Sequence, residues 1–169
     1  MTEGKKQWLI ALSILCAFIL LWIFLFFMMK SPTKTNYSKV SQLTFETRLK
    51  QVSSDIKGEK QGQYIKYQID ENREIYVDYQ KKNISRLLLV FDQENYQETT
   101  SKPLLQEVID ICIPKLEDNE KIATRLMDFE EKEDDLVAND ITIDNIEFLS
   151  RIDRDKKKIV FYIYYLDNE

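Results

Sequence analysis

The chain has no histidine, and its 169 residues include only three glycines, three prolines and two cysteines. Each scarcity excludes a class of chemistry. Without histidine the commonest general base and the commonest zinc ligand are gone. Three scattered glycines cannot build a phosphate-cradling loop, a dinucleotide fingerprint or a nucleophile elbow. So little glycine and proline also excludes collagen-like and low-complexity architectures. Two cysteines cannot make a disulfide framework, the more so because Cys16 lies in a long apolar run. The other, Cys112, sits on the apolar stripe of a predicted helix, where a thiol serves as a small hydrophobe. Both tryptophans fall in the apolar run, which leaves none to stack on sugar rings elsewhere. Nothing singles out one serine or one carboxylate pair. The expectation is a protein that is not an enzyme, with no catalytic residue, cofactor or metal.

What is present is unevenly spread. From Trp8 to Met29 there are 22 consecutive uncharged residues, dominated by Leu, Ile and Phe. About 20 residues at ~1.5 Å rise span the hydrocarbon core of a bilayer. Trp8 and Trp22 lie within this predicted anchor, Met29 closes it, and Lys5, Lys6 and Lys30 bracket it. The run is too long for the apolar part of a cleaved signal peptide, and it leaves through Met28-Met29-Lys30-Ser31-Pro32 without a small-residue cleavage site. Cationic residues are nearly balanced on its two sides. A short N-terminal stub before a long acidic domain is the usual layout of a signal-anchor that exports its C-terminus. The expected organisation is therefore a stub (1–7), a single-pass anchor (8–29) contacting membrane lipid, a polar tether (30–38) and an extracytoplasmic domain (39–169).

Residues 30–169 hold 22 of the 24 basic side chains and 28 of the 29 acidic ones, since only Lys5, Lys6 and Glu3 precede them. Phe45, Leu49, Val52 and Ile56 recur on one helical face, with Gly58 placed to cap it. From Gly62 the period becomes two. Ile65, Tyr67 and Ile69 form one predicted strand, and Ile75, Val77 and Tyr79 a second, with a turn at Asp70 to Arg73. Leu87 to Phe91 is apolar on both parities, which predicts a third strand covered on both faces, after a turn at Lys81-Lys82-Asn83.

Two helices are expected next. Ser101 can cap the first, Pro103 suits its first turn, and Leu104, Leu105, Val108, Ile109 and Cys112 form its stripe before Pro114. Asp118 can cap the second, with Ile122, Ala123, Leu126 and Phe129 inward. Two further strands close the chain. The first has a parity switch at Asp144-Asn145 that implies a bulge or a break, and the last runs from Ile159 to Leu166. Helix, three strands, two helices, two strands reads as an α+β domain with a largely antiparallel sheet.

Two features could carry a function. Between Glu117 and Asp135 nine acids stand against three basic residues. One reading is a solvated helix face; the sharper one is an acidic surface for a basic partner, through Glu130, Glu131, Asp134 and Asp135. Such a field repels nucleic acid. Seven of the nine tyrosines fall in predicted strands. Packing under helices explains them, but if the second sheet face is open, Tyr64, Tyr76, Tyr162 and Tyr164 form an aromatic patch of the kind enriched in binding hot spots. In layout alone the chain is similar to membrane-anchored immunity proteins of bacteria. That likeness implies a domain that binds and blocks a secreted toxin outside the membrane. The alternative is an accessory subunit of a cell-envelope secretion or conjugation complex.

Overall fold

A computed structural model describes residues 18–22, 36–129 and 138–166. The chain forms two compact units, Met1–Lys34 and Thr35–Glu169. Of the first, residues 18–22 are described, and they are helical with Phe18, Ile19, Leu20, Leu21 and Trp22 exposed. Trp8 and Met29 lie outside the described residues. Among the described residues no helix is long and apolar enough to cross a membrane.

The second unit is α+β. Its elements are α1 (Gln42–Val52), β1 (Gly58–Gln61), β2 (Tyr64–Asp70), β3 (Arg73–Gln80), β4 (Asn83–Asp92), α2 (Glu98–Cys112), α3 (Asn119–Met127), β5 (Ala138–Ile143), β6 (Ile146–Asp153) and β7 (Lys158–Tyr165). All the strands belong to one seven-stranded antiparallel sheet in the order β1-β2-β3-β4-β7-β6-β5. Two meanders, β1–β4 and β5–β7, meet where β7 pairs with β4. The chain between β4 and β5 passes from the sheet centre to its far edge by way of α2 and α3.

The turns follow the local chemistry. Lys81 and Lys82 both have positive φ (50° and 67°), the geometry of a two-residue hairpin matched to strand twist. Asp144, at φ 54°, turns β5 into β6, so the parity switch there is a break between two strands. Asn145 is buried, and its side-chain amide accepts from the Tyr37 backbone N–H (2.8 Å) and donates to the Tyr37 carbonyl (3.0 Å). Tyr37, expected in the tether, is thus held to the β5–β6 hairpin.

Several expectations are corrected. The sheet has four strands before the helices and three after, instead of three and two. Gly58 is no helix cap: α1 ends at Val52 with Ser53 as its cap, and Gly58 opens the extra strand β1. A Cβ there would lie 2.8 Å from both Ile65 and Tyr67 on the paired strand, so glycine is needed for close approach. Ile56 is buried, but beyond the helix. In α2 the cap is Gln97, one turn before Ser101, which is buried inside the helix, and Pro103 also lies inside the helix but is exposed. Asp118 stands at the start of α3, but in the left-handed region; its carboxylate accepts from the Lys121 ammonium at 2.8 Å instead of capping.

The core lies on one face of the sheet. Phe45 and Leu49 from α1, Leu104, Leu105, Val108, Ile109 and Cys112 from α2, and Ile122, Ala123 and Leu126 from α3 pack on Ile75, Val77, Leu87, Leu89, Phe91, Phe148, Phe161 and Ile163. Burying each such Leu, Ile or Phe is worth about 1.5–3 kcal/mol. Strand residues of opposite parity, including Leu88, Val90, Leu149, Tyr162 and Tyr164, take no part in this cluster.

Candidate functional site: the open face of the sheet

The even-numbered positions of β2, β3, β4 and β7 line up across the sheet. One row runs Tyr64, Asp78, Arg86, Tyr164, Glu147, and the next runs Lys66, Tyr76, Leu88, Tyr162, Leu149. Strand alternation puts these side chains on the face opposite the helices. All ten are half-buried, shielded by their neighbours and by no helix among the described residues. Leu88 stands directly between Tyr76 and Tyr162. The four tyrosines singled out in the sequence therefore share one surface.

Their geometry is specific. Tyr162 and Tyr164 stack, with ring centroids 5.7 Å apart and planes 6° from parallel. Tyr64 and Tyr76 meet edge to face at 6.4 Å. Arg86 links the two pairs: its guanidinium lies over the Tyr164 ring at 5.0 Å and donates to the Tyr64 hydroxyl at 3.3 Å. That hydrogen bond holds the Arg86 pKa above its usual value against the opposing effect of burial. Burial raises the pKa of Tyr164, with Arg86 opposing it.

A second set of contacts fixes the β2–β3 side. Glu74 accepts from Lys66 at 2.8 Å and from the Tyr76 hydroxyl at 2.7 Å, and the Lys66 ammonium lies 5.9 Å from the Tyr76 ring centre. Burial pushes Glu74 up, but the bonds from Lys66 and Tyr76 outweigh it, so its pKa falls below the usual carboxylate value. The Glu74 bond is likewise the largest influence raising Lys66. The result is an apolar strip of Tyr76, Leu88, Tyr162 and Leu149 bordered by ordered polar groups. An apolar centre with a polar rim is the anatomy of a protein-binding surface.

Leu88 and Val90 correct the expectation of a strand covered on both faces. Leu87, Leu89 and Phe91 are buried, while Leu88 and Val90 are half-buried on the open side. Sequence reasoning also passed over Arg86, Leu149 and Glu147. The available signal was the double-parity apolarity of Leu87 to Phe91, which puts apolar side chains on the second face whether or not anything covers it. Glu130, Glu131, Asp134 and Asp135 lie outside the described residues.

Cys112 is fully buried, and desolvation pushes its thiol pKa far up, which disfavours the thiolate. Among the described residues no three His, Cys, Asp or Glu side chains gather as a metal site requires. A cleft of about 480 Å³ between α1 and the β1–β2 hairpin has Glu46, Leu49 and Tyr67 in its lining, with Lys50, Lys57 and Lys60 around it. The Tyr67 hydroxyl in its lining donates to Glu46 at 2.8 Å and lies 3.1 Å from the Tyr79 hydroxyl. No protein-family model, curated protein or solved structure matches this chain.

Proposed function

We propose that this is a single-pass membrane protein whose C-terminal domain lies outside the cytoplasm and binds another protein through the open face of its sheet, without catalysis. The closest functional type is a bacterial immunity-type inhibitor that blocks a secreted toxin. The observation that carries the reading is the tyrosine face itself. Tyr64, Tyr76, Tyr162 and Tyr164 surround Leu88 on a surface that no described helix covers, with Tyr64 and Tyr164 contacted by Arg86, Tyr76 by Glu74, and Tyr162 stacked on Tyr164. Such pre-ordered aromatic side chains lose little entropy on binding. The uncharged run Trp8 to Met29 supports the anchor, as do the exposed apolar side chains of residues 18–22.

Two experiments test this reading. A protease added outside intact cells or spheroplasts should remove a C-terminal tag; protection of the tag, with an exported control cut, would place the domain in the cytoplasm. Tyr162→Ala combined with Tyr164→Ala should keep the fold by circular dichroism yet lose the protein partner that the wild-type chain retains. Unfolding of that variant would show these rings to be core.

A further inference from the structure

β1 is an edge strand: β2 pairs with one side of it, and no described strand pairs with the other. All four of its residues, Gly58 to Gln61, are exposed. Alternate residues of such a strand present both N–H and C=O outward, a template for adding one more strand. Charge decides what can add. Lys60 is paired in register with Ile65, whose side chain packs against the core, so Lys60 points to the helix side. There it lines the cleft of about 480 Å³ together with Lys57, just before β1, and Lys50, on α1. All three lysines are exposed, and none forms an ion pair among the described residues. The one carboxylate in the lining, Glu46, turns an oxygen to the Tyr67 hydroxyl at 2.8 Å and to the Gln42 amide at 2.9 Å. The other acids of this flank lie outside the cleft. Glu59 is in register with Lys66 on the opposite face and helps to raise its pKa, and Asp55 stands in the exposed turn before β1.

We infer that β1 takes up an acidic segment of another protein as an added strand, with its carboxylates over Lys50, Lys57 and Lys60. This site is separate from the tyrosine face and does not rest on it. In strand addition the backbone bonds supply affinity, and the side chains that alternate toward the cleft supply the choice of partner. β1 raises no side chain at Gly58, so a partner residue opposite it meets no side-chain wall between itself and the cleft. Lysine on a short edge strand also discourages promiscuous pairing. That accounts for Lys60 but not for Lys50, which stands on α1 across the cleft. Acids elsewhere on the domain weigh little here, because physiological salt screens exposed charges beyond about 8 Å.

The test uses the full chain in micelles of an uncharged detergent, titrated with an end-blocked peptide of alternating glutamate and threonine. Binding is followed by the backbone amide signals of Gly58 to Gln61 in NMR and by their hydrogen exchange. The peptide should shift these signals and slow the exchange of the outward amides. A glutamine–threonine peptide should bind at least tenfold more weakly, and so should the glutamate peptide with every backbone nitrogen methylated, which keeps the charge but loses the N–H donors. Lys60→Glu should weaken binding about tenfold, and Lys50→Glu, the second variant, by a similar factor, since charge here acts through complementarity. Lys115→Glu, outside the cleft, should leave affinity within about twofold. Circular dichroism confirms that each variant is folded.

No binding of the glutamate peptide, or equal binding by the wild type and both cleft variants, overturns the inference. Undiminished binding of the methylated peptide overturns strand addition and leaves only a site for anions. Slow exchange of the outward β1 amides without peptide, lost on dilution, would show the edge taken by a second copy and overturns the inference as well.

Discussion

The two faces of this sheet use the same residue in opposite ways. On the helix side Tyr67 and Tyr165 are 2% and 5% exposed, and their hydroxyls are bonded inward. Tyr67 donates to Glu46, and Tyr165 donates to the Cys112 carbonyl at 2.5 Å. On the other side Tyr64, Tyr76, Tyr162 and Tyr164 are half-buried, and their rings pack against each other and against two cations. Tyr164 and Tyr165 are neighbours in sequence. Parity alone sends one into the core and the other onto the surface. Tyr67 and Tyr165 have their hydroxyls bonded to the core side, whereas on the open face Tyr64 and Tyr76 bond to Arg86 and Glu74 and the Tyr162 and Tyr164 hydroxyls have no hydrogen bond among the described residues.

The sharpest way to break the comparison is to hollow the covered face. Phe161 is buried and packs edge to face on Phe91 at 5.6 Å and against Phe129 at 6.1 Å. Phe161→Ala should cost about 3–5 kcal/mol in denaturant unfolding. That is a large share of the ~5–15 kcal/mol that holds a domain folded. An effect below about 1 kcal/mol would mean that the helices do not pack where they are described.

A smaller effect is expected at the sheet edge. The Cβ of Gly58→Ala would meet Ile65 and Tyr67 at 2.8 Å. Tyr67 is held by Glu46 and cannot swing aside, so overpacking should cost about 1–3 kcal/mol, read as a lower unfolding midpoint. An unchanged midpoint would show that β1 peels away freely.

Smaller again, and specific to the covered face, is a response to alkali. Burial raises Tyr67 and Tyr165 well above the ordinary tyrosine value of 10.0. Below pH ~10 both are neutral whether the chain is folded or not, and stability does not depend on them. Above that pH the unfolded chain releases protons that the folded chain keeps. Stability should then fall with rising pH by up to about 1.4 kcal/mol per unit for each group. Tyr67→Phe with Tyr165→Phe should flatten that fall.

The least effect on stability belongs to the open face. Tyr162→Ala and Tyr164→Ala give up cross-strand contacts worth about 0.2–1 kcal/mol each. Loss of binding without loss of fold is the signature that separates this face from the other.

Much of the fold was legible because periodicity is strong here. The stripes of α2 and α3 and the alternation in β2, β3 and β7 put the expected side chains in the core. β1 was not legible, since Gly58-Glu59-Lys60-Gln61 is a short, wholly exposed edge strand with no apolar signal. The helix caps were misread because Ser101 and Asp118 are good caps by type. Tertiary contacts bury Ser101 one turn inside α2, and Asp118 prefers the Lys121 ammonium. In the candidate site, parity announced the tyrosines but not Arg86. A single arginine in a strand does not reveal which rings it will bridge until register is known.

The most direct measurement is tyrosine nitration of the native full-length protein, mapped by mass spectrometry. Tyr64, Tyr76, Tyr162 and Tyr164 should react first, while Tyr67 and Tyr165 stay unmodified until the protein unfolds. Protection of Tyr162 and Tyr164 to the same degree as Tyr67 would mean that the second face is covered, and the surface proposed to bind a partner would not exist.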